Sequence, residues 1–230
     1  VLGGVLTVLL RFSSLDEQGR RQRVQAWSLR LLDRLGVTLA ARGLPKPGAK
    51  LVVANHISWL DVAAVHAVMP EARFVSKADV KHWPVLGAMV AGAGTLFIER
   101  EKKRDALRVV HQMAEALQAG NTVAVFPEGT TADGHALLPF HANLLQAAIA
   151  TGTPIQAVAL RFSDALGPVS KAAEFLGETT LLQSIWRIAS ARDLVVSVAV
   201  LPPQGTAHAD RRALSDKLRQ EIAQAMSALP

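Results

Sequence analysis

Apolar and polar positions change rhythm repeatedly along the chain. Residues 13–36 carry apolar positions at helical spacing, with Arg20, Arg21, Arg23, Arg30 and Arg34 between them, and predict a basic helix. Residues 43–48 hold two prolines and two glycines and predict a linker. From there short apolar runs alternate with longer amphipathic ones. The runs at 51–54, 73–76, 95–99, 122–126, 154–160 and 194–201 predict strands. The stretches 58–69, 79–91, 104–118, 140–150, 181–189 and 210–228 predict helices, the third closed by Gly120. Residues 162–180 fit neither period and predict an excursion from the sheet. This alternation implies an α/β fold: a single domain with a mostly parallel central sheet flanked by helices, preceded by an N-terminal apolar and basic helical segment. The expected boundary puts that segment at 1–43 and the α/β domain at 44–230. Sites in such sheets gather beyond the carboxyl ends of the strands.

Composition changes this picture in three ways. Half of the residues are hydrophobic and the mean hydropathy is +0.24, so contact with an apolar phase is in view. Lys and Arg outnumber Asp and Glu by 25 to 19, giving a pI near 10.2 and a preference for anionic partners. There is no cysteine, which excludes disulfides, thiolate metal sites and a covalent acyl-cysteine intermediate. Aromatic content is 5% with no Tyr, and no basic face interleaved with stacking aromatics is visible, so nucleic acid is not an expected partner.

Residues 1–10 are apolar and uncharged, and Arg11 ends the run. A ten-residue helix is about 15 Å long, against a hydrocarbon core of roughly 30 Å. This piece alone does not cross a bilayer; it reads as part of an anchor, an interfacial helix or a core helix. The uncharged stretches 83–98 and 136–160 are punctuated by Gly and Pro and read as buried helix plus buried strand.

The densest chemistry lies at Asn55–His56–Ile57–Ser58–Trp59–Leu60–Asp61. A strand ends here and a helix begins. Locally, Ser58 fits an N-cap and Asp61 its capping-box partner. Across the turn, however, the His56 imidazole can fold back onto the Asp61 carboxylate. A histidine so held is a general base of fixed tautomer, which transfer of an acyl group to an alcohol requires.

This stretch resembles the His-x4-Asp motif of the glycerophospholipid acyltransferases, the family of bacterial 1-acylglycerol-3-phosphate acyltransferases. Three further blocks follow in the family's order. Gly94–Thr95–Leu96–Phe97–Ile98–Glu99–Arg100 resembles the second motif, in which Arg100 clamps the acceptor's anionic headgroup with its planar fork. Phe126–Pro127–Glu128–Gly129–Thr130 resembles the third, which the family places at acceptor binding near the histidine. The family commonly has Arg where Thr131 stands and Lys where His141 stands, so the acceptor is open between lysophosphatidic acid and a less acidic lyso-lipid such as lyso-ornithine lipid. Thr153–Pro154–Ile155–Gln156–Ala157–Val158 resembles the last motif and equally reads as an ordinary buried strand.

The resemblance implies direct acyl transfer in phospholipid biosynthesis. His56 is the base, Asp61 orients it, and Arg100, Glu128, Gly129 and Thr130 hold a lysophospholipid acceptor. Lys77, at a strand end, is expected to face the same opening. Acyl-CoA or acyl-carrier protein is the co-substrate; no metal and no tightly held cofactor is implied. The amphiphilic substrates imply association with a membrane surface, expected at the cytoplasmic face of the inner membrane. The rival reading is a non-catalytic lipid-binding module, which has no need of a base. His-Glu-x-x-His, phosphate-loop, Gly-x-Gly-x-x-Gly and Gly-x-Ser-x-Gly patterns are all missing.

Overall fold

Each buried strand alternates between two cores, and that alternation sets the layers. The computed structural model describes residues 15–77, 95–98 and 103–230. Its strands are β1 (Thr38–Arg42), β2 (Lys50–Ala54), β3 (Ala72–Lys77), β4 (Leu96–Ile98), β5 (Thr122–Val125), β6 (Ile155–Ser163) and β7 (Val195–Gln204). Its helices are α1 (Glu17–Arg34), α2 (Leu60–Val68), α3 (Lys103–Gln118), α4 (Gln146–Thr151), α5 (Leu181–Ser190) and α6 (Arg211–Ser227). Among the described residues the sheet has seven strands in the order β1-β7-β6-β2-β5-β3-β4. All neighbours are parallel except β6 and β7.

In β2, Val52 and Ala54 pack with Leu32 of α1, Leu60 and Ala64 of α2 and Ile188 of α5. Leu51 and Val53 point the other way, toward Met113 of α3, Ala148 of α4 and Leu218 of α6. The period of two along a strand thus makes one sheet serve two cores. Each fully buried aliphatic side chain contributes about 1.5–3 kcal/mol. On α6, Leu214, Leu218, Ile222 and Met226 recur at i, i+4 and form its inner stripe.

The mostly parallel sheet flanked by helices is as expected, with differences that have physical causes. The sheet begins at Thr38, ahead of the boundary expected after residue 43. β1 is an edge strand, largely exposed, and lacks the apolar run that marks a buried strand; its order comes from parallel pairing with β7. β6 and β7 outrun their apolar segments because they pair with each other, through Arg161↔Ser197, Phe162↔Val196 and Ser163↔Val195. Pro202 and Pro203 sit where β7 extends past its last partner in β1, Ala199, so no ladder bond on that side is lost. The helix expected over 140–150 opens with a 3-10 turn, Ala142–Leu145, and the N–H of His141 just ahead of it donates to Pro127 O at 2.8 Å. The helix expected over 79–91 and the apolar residues 1–10 lie outside the described residues.

Two central parallel strands place the site. β2 and β5 are adjacent and in register from Lys50↔Thr122 to Val53↔Val125. The chain therefore leaves both carboxyl ends side by side, as Asn55–His56 and as Phe126. Asn55 continues the ladder with its side chain: Nδ2 donates to Leu160 O at 2.9 Å, and Leu160 N–H donates to Oδ1 at 2.7 Å. The residue before His56 is thus pinned to β6.

Candidate active site

His56 is held at four points. Its Nδ1 donates to Asp61 Oδ2 at 2.7 Å. Its main-chain N–H donates to Glu128 Oε1 at 2.8 Å, and its carbonyl accepts from Ala132 N–H at 2.8 Å. Its ring lies flat on Phe126, with centroids 4.0 Å apart and planes 8° from parallel. The side chain keeps 20% of its surface, and Nε2 makes no hydrogen bond among the described residues. With Nδ1 donating to a carboxylate, the neutral ring carries its lone pair on Nε2. Nε2 is therefore the basic nitrogen.

Asp61 is fully buried. Its Oδ2 also accepts N–H groups from Ile57 at 2.6 Å and Ser58 at 2.9 Å. Half of the expected capping box is present: the carboxylate reaches back to the Ser58 main chain. The other half is not made. Ser58 Oγ has no partner among the described residues, and α2 starts after Trp59 without a side-chain cap. The carboxylate does two tasks at once, opening the helix and fixing the imidazole. Its second oxygen, Oδ1, is buried without a partner among the described residues.

The loop after β5 closes over this pair. Phe126, Pro127, Glu128 and Gly129 form a tight turn in which Gly129 N–H donates to Phe126 O at 3.1 Å, with Gly129 at a φ of 73°. Pro in the corner and Gly after it turn the chain so that Glu128 points inward, 4% exposed. Both its oxygens receive main-chain donors: Oε1 that of His56, and Oε2 that of Leu138 at 2.7 Å. Burial pushes the Glu128 carboxyl above its ordinary range, against the pull of those two N–H groups.

A polar acid-base pair of this geometry, at the carboxyl ends of adjacent parallel strands, is equipped to deprotonate a hydroxyl. The chain matches the Acyltransferase family model over residues 40–161. The chain belongs to the acyltransferase family. It is 39% identical over 189 residues to a 1-acyl-sn-glycerol-3-phosphate acyltransferase of Neisseria gonorrhoeae, covering 82% of this chain and 73% of that protein. It is 33% identical over 213 residues to a lyso-ornithine lipid O-acyltransferase of Pseudomonas aeruginosa, covering 92% of this chain and 81% of that protein. Its fold matches the crystal structure of a 1-acyl-sn-glycerophosphate acyltransferase from Thermotoga maritima with a TM-score of 0.72 and 18% identity, over 96% of this chain and 86% of that one.

In this acyltransferase the residues singled out from sequence are distributed unevenly. His56, Asp61 and Glu128 meet directly. Gly129 and Thr130 follow in the same turn, with Thr130 exposed. Lys77 ends β3, in register with Ile98 of β4. Arg100 lies outside the described residues. Thr131 donates from Oγ1 to Phe175 O and so ties the loop to the excursion after β6. Sequence reading took Phe126 as a strand end and Asn55 as a motif neighbour. The ring stack on His56 and the strand lock at Leu160 join residues 70 or more positions apart, and no local pattern announces them.

Proposed function

We propose that this acyltransferase moves a fatty acyl chain from acyl-CoA or acyl-carrier protein to the hydroxyl of a lysophospholipid, 1-acylglycerol-3-phosphate first among them. One observation carries the reading: a partly exposed imidazole whose Nδ1 is bound to a buried carboxylate and whose Nε2 makes no hydrogen bond among the described residues. Nε2 takes the proton of the acceptor hydroxyl as its oxygen attacks the thioester carbonyl. The C–O ester bond forms, the C–S bond breaks, and the thiolate leaves with the proton returned from the imidazolium. Asp61 holds the tautomer and stabilises the positive ring. The face of Phe126 adds a favourable quadrupole to the same charge. The activated acyl group arrives on its own carrier, so the reaction needs neither metal nor tightly held cofactor.

Gly129, Thr130, Lys77 and Arg100 are the proposed acceptor contacts, with Glu128 shaping the loop that presents the first two. A second acceptor is supported by one feature. Thr131 is committed to Phe175 and brings no positive charge, which favours a less acidic headgroup such as that of lyso-ornithine lipid. Amphiphilic substrates place the reaction at a membrane surface, and acyl thioesters place it at the cytoplasmic face of the inner membrane. Among the described residues no helix is long and apolar enough to cross a membrane.

The test is transfer of labelled acyl groups from either donor to a panel of lyso-lipids. Wild type is expected to label one diacyl product. His56→Ala is expected to lose at least 10²-fold, and Asp61→Asn a similar amount, the range for removing a general base or its orienting partner. Equal labelling by wild type and His56→Ala refutes the mechanism. No labelling by any of them returns the chain to the lipid-binding reading.

A further inference from the structure

The four contacts on His56 raise the question of what holds the loop that supplies three of them. Residues 126–141 contain little regular structure, yet Glu128 and Ala132 must stay within hydrogen-bond distance of the His56 main chain. The loop's far end answers it. Arg219, on α6, donates from Nε to Leu138 O at 3.1 Å and from Nη2 to Leu137 O at 2.6 Å. Leu138 in turn donates its N–H to Glu128 Oε2, and Glu128 Oε1 takes the N–H of His56. The path runs unbroken from a helix on one side of the sheet to the His56 main-chain N–H at its carboxyl edge.

We propose that Arg219 is a positioning residue for His56, acting through Leu138 and Glu128. The inference rests on the reading of His56 as the base. A guanidinium suits the task because its rigid fork grips two successive carbonyls at once. Those carbonyls belong to residues on either side of the Leu137–Leu138 peptide, so the grip fixes that peptide's plane and with it the direction of the Leu138 N–H. Glu128 makes no salt bridge to Lys or Arg among the described residues, and its alignment depends on the two N–H groups it accepts. Loosening Leu138 frees one carboxylate oxygen and lets the other drift from His56. Arg219 lies outside the matched family stretch, residues 40–161, and touches neither His56 nor Asp61.

The experiment compares Arg219→Met, which keeps the aliphatic stem, and Arg219→Lys, which keeps the charge and one donor, with wild type and His56→Ala. All are assayed well below their unfolding temperatures, with kcat and the acceptor KM determined separately. Arg219→Met is expected to lose about tenfold in kcat with the acceptor KM unchanged, the scale on which small misplacements of a catalytic group act. Arg219→Lys is expected to fall between it and wild type, and guanidinium ion at millimolar levels to restore part of the Arg219→Met loss. Added to Glu128→Gln, Arg219→Met should cost little more than the worse single change, since both break one path. Unchanged kcat with only a lowered Tm overturns the proposal, as does a raised KM at constant kcat. Should Arg219→Met fail to fold, Arg219→Lys decides alone: wild-type kcat refutes, and a kcat loss at constant KM supports. Full activity in His56→Ala would instead remove the reading beneath it.

Discussion

At the residue scale, the site depends on which nitrogen, oxygen or ring face each side chain presents. His66 illustrates the contrast with His56. Both are histidines at the ends of short segments, yet His66 is 4% exposed, stands edge-on to Phe74 with centroids 5.1 Å apart, and donates from Nε2 to Ala72 O at 2.9 Å. Burial pulls its pKa down to about 4, against smaller opposing effects from the Ala72 carbonyl and the Glu71 charge. In the unfolded chain the same ring takes up its proton near pH 6.5. Between those values the unfolded state binds more protons, so stability is intact above pH 6.5 and falls as pH drops toward 4. The full contribution is roughly 3 kcal/mol. Urea unfolding from pH 7 to 4 is expected to show this slope in wild type and a shallower one in His66→Gln. Equal slopes would show that His66 is not the group responsible. The stacked series His56, Phe126, Phe74, with His66 at its edge, also shows that His56 sits on an aromatic floor continuous with the core.

At the element scale, strand ends are tied together by side chains acting as main chain. Asn55 matches both backbone groups of Leu160 and so extends the pairing of β2 with β6 past Ala54. Asn55→Ala would leave a buried N–H and a buried C=O unpaired, at about 1–3 kcal/mol each. The expected loss is about 2–4 kcal/mol by urea titration at constant m-value. A loss under 0.5 kcal/mol would mean the lock is redundant. At the opposite end of β2, Lys50 plays a similar part: its fully buried Nζ reaches Glu71 at 2.8 Å and Thr122 Oγ1 at 3.2 Å, joining the starts of β2, β3 and β5. The central strands are thereby held at both ends, and the His56 backbone inherits that rigidity. Ahead of α2, Asp61 accepts the N–H groups of Ile57 and Ser58, so the turn between β2 and the helix is closed by the carboxylate that also holds His56.

At the scale of the whole molecule, the balance of charge sets which surfaces attract the protein. The formal net charge is +6. On α1 the five arginines are exposed while Ser28 and Leu32 face inward, and Gln25 Nε2 docks the helix on α2 through Ala67 O at 2.9 Å. A helix so mounted turns its cations outward, which suits an anionic lipid surface. Sedimentation with vesicles containing anionic lipid is therefore expected to retain the protein at low salt and to release a growing fraction as salt rises. Retention on DNA at the same salt should be weaker. Equal retention on both would mean that net charge alone is being read, and salt-independent retention on neutral vesicles would move the contact from α1 to apolar surface.

The sequence by itself determined the layered α/β class, because periods of two and 3.6 are imposed by local geometry and read without knowledge of partners. It also put His56 and Asp61 within reach of each other across one turn, and Glu128 was marked by the resemblance of Phe126–Thr130 to the family's third motif. It did not reveal β1, whose residues are mostly exposed and whose order comes from β7, more than 150 positions away. Nor did it reveal what Glu128 touches. Whether a carboxylate at a strand end meets a ligand, a cation or a backbone N–H depends on which segments the fold brings beside it, and here those are residues 56 and 138. The same holds for Arg219, which in sequence is one more charge on an amphipathic helix. Periodicity records which way a side chain faces; only the packing of distant segments decides what it faces.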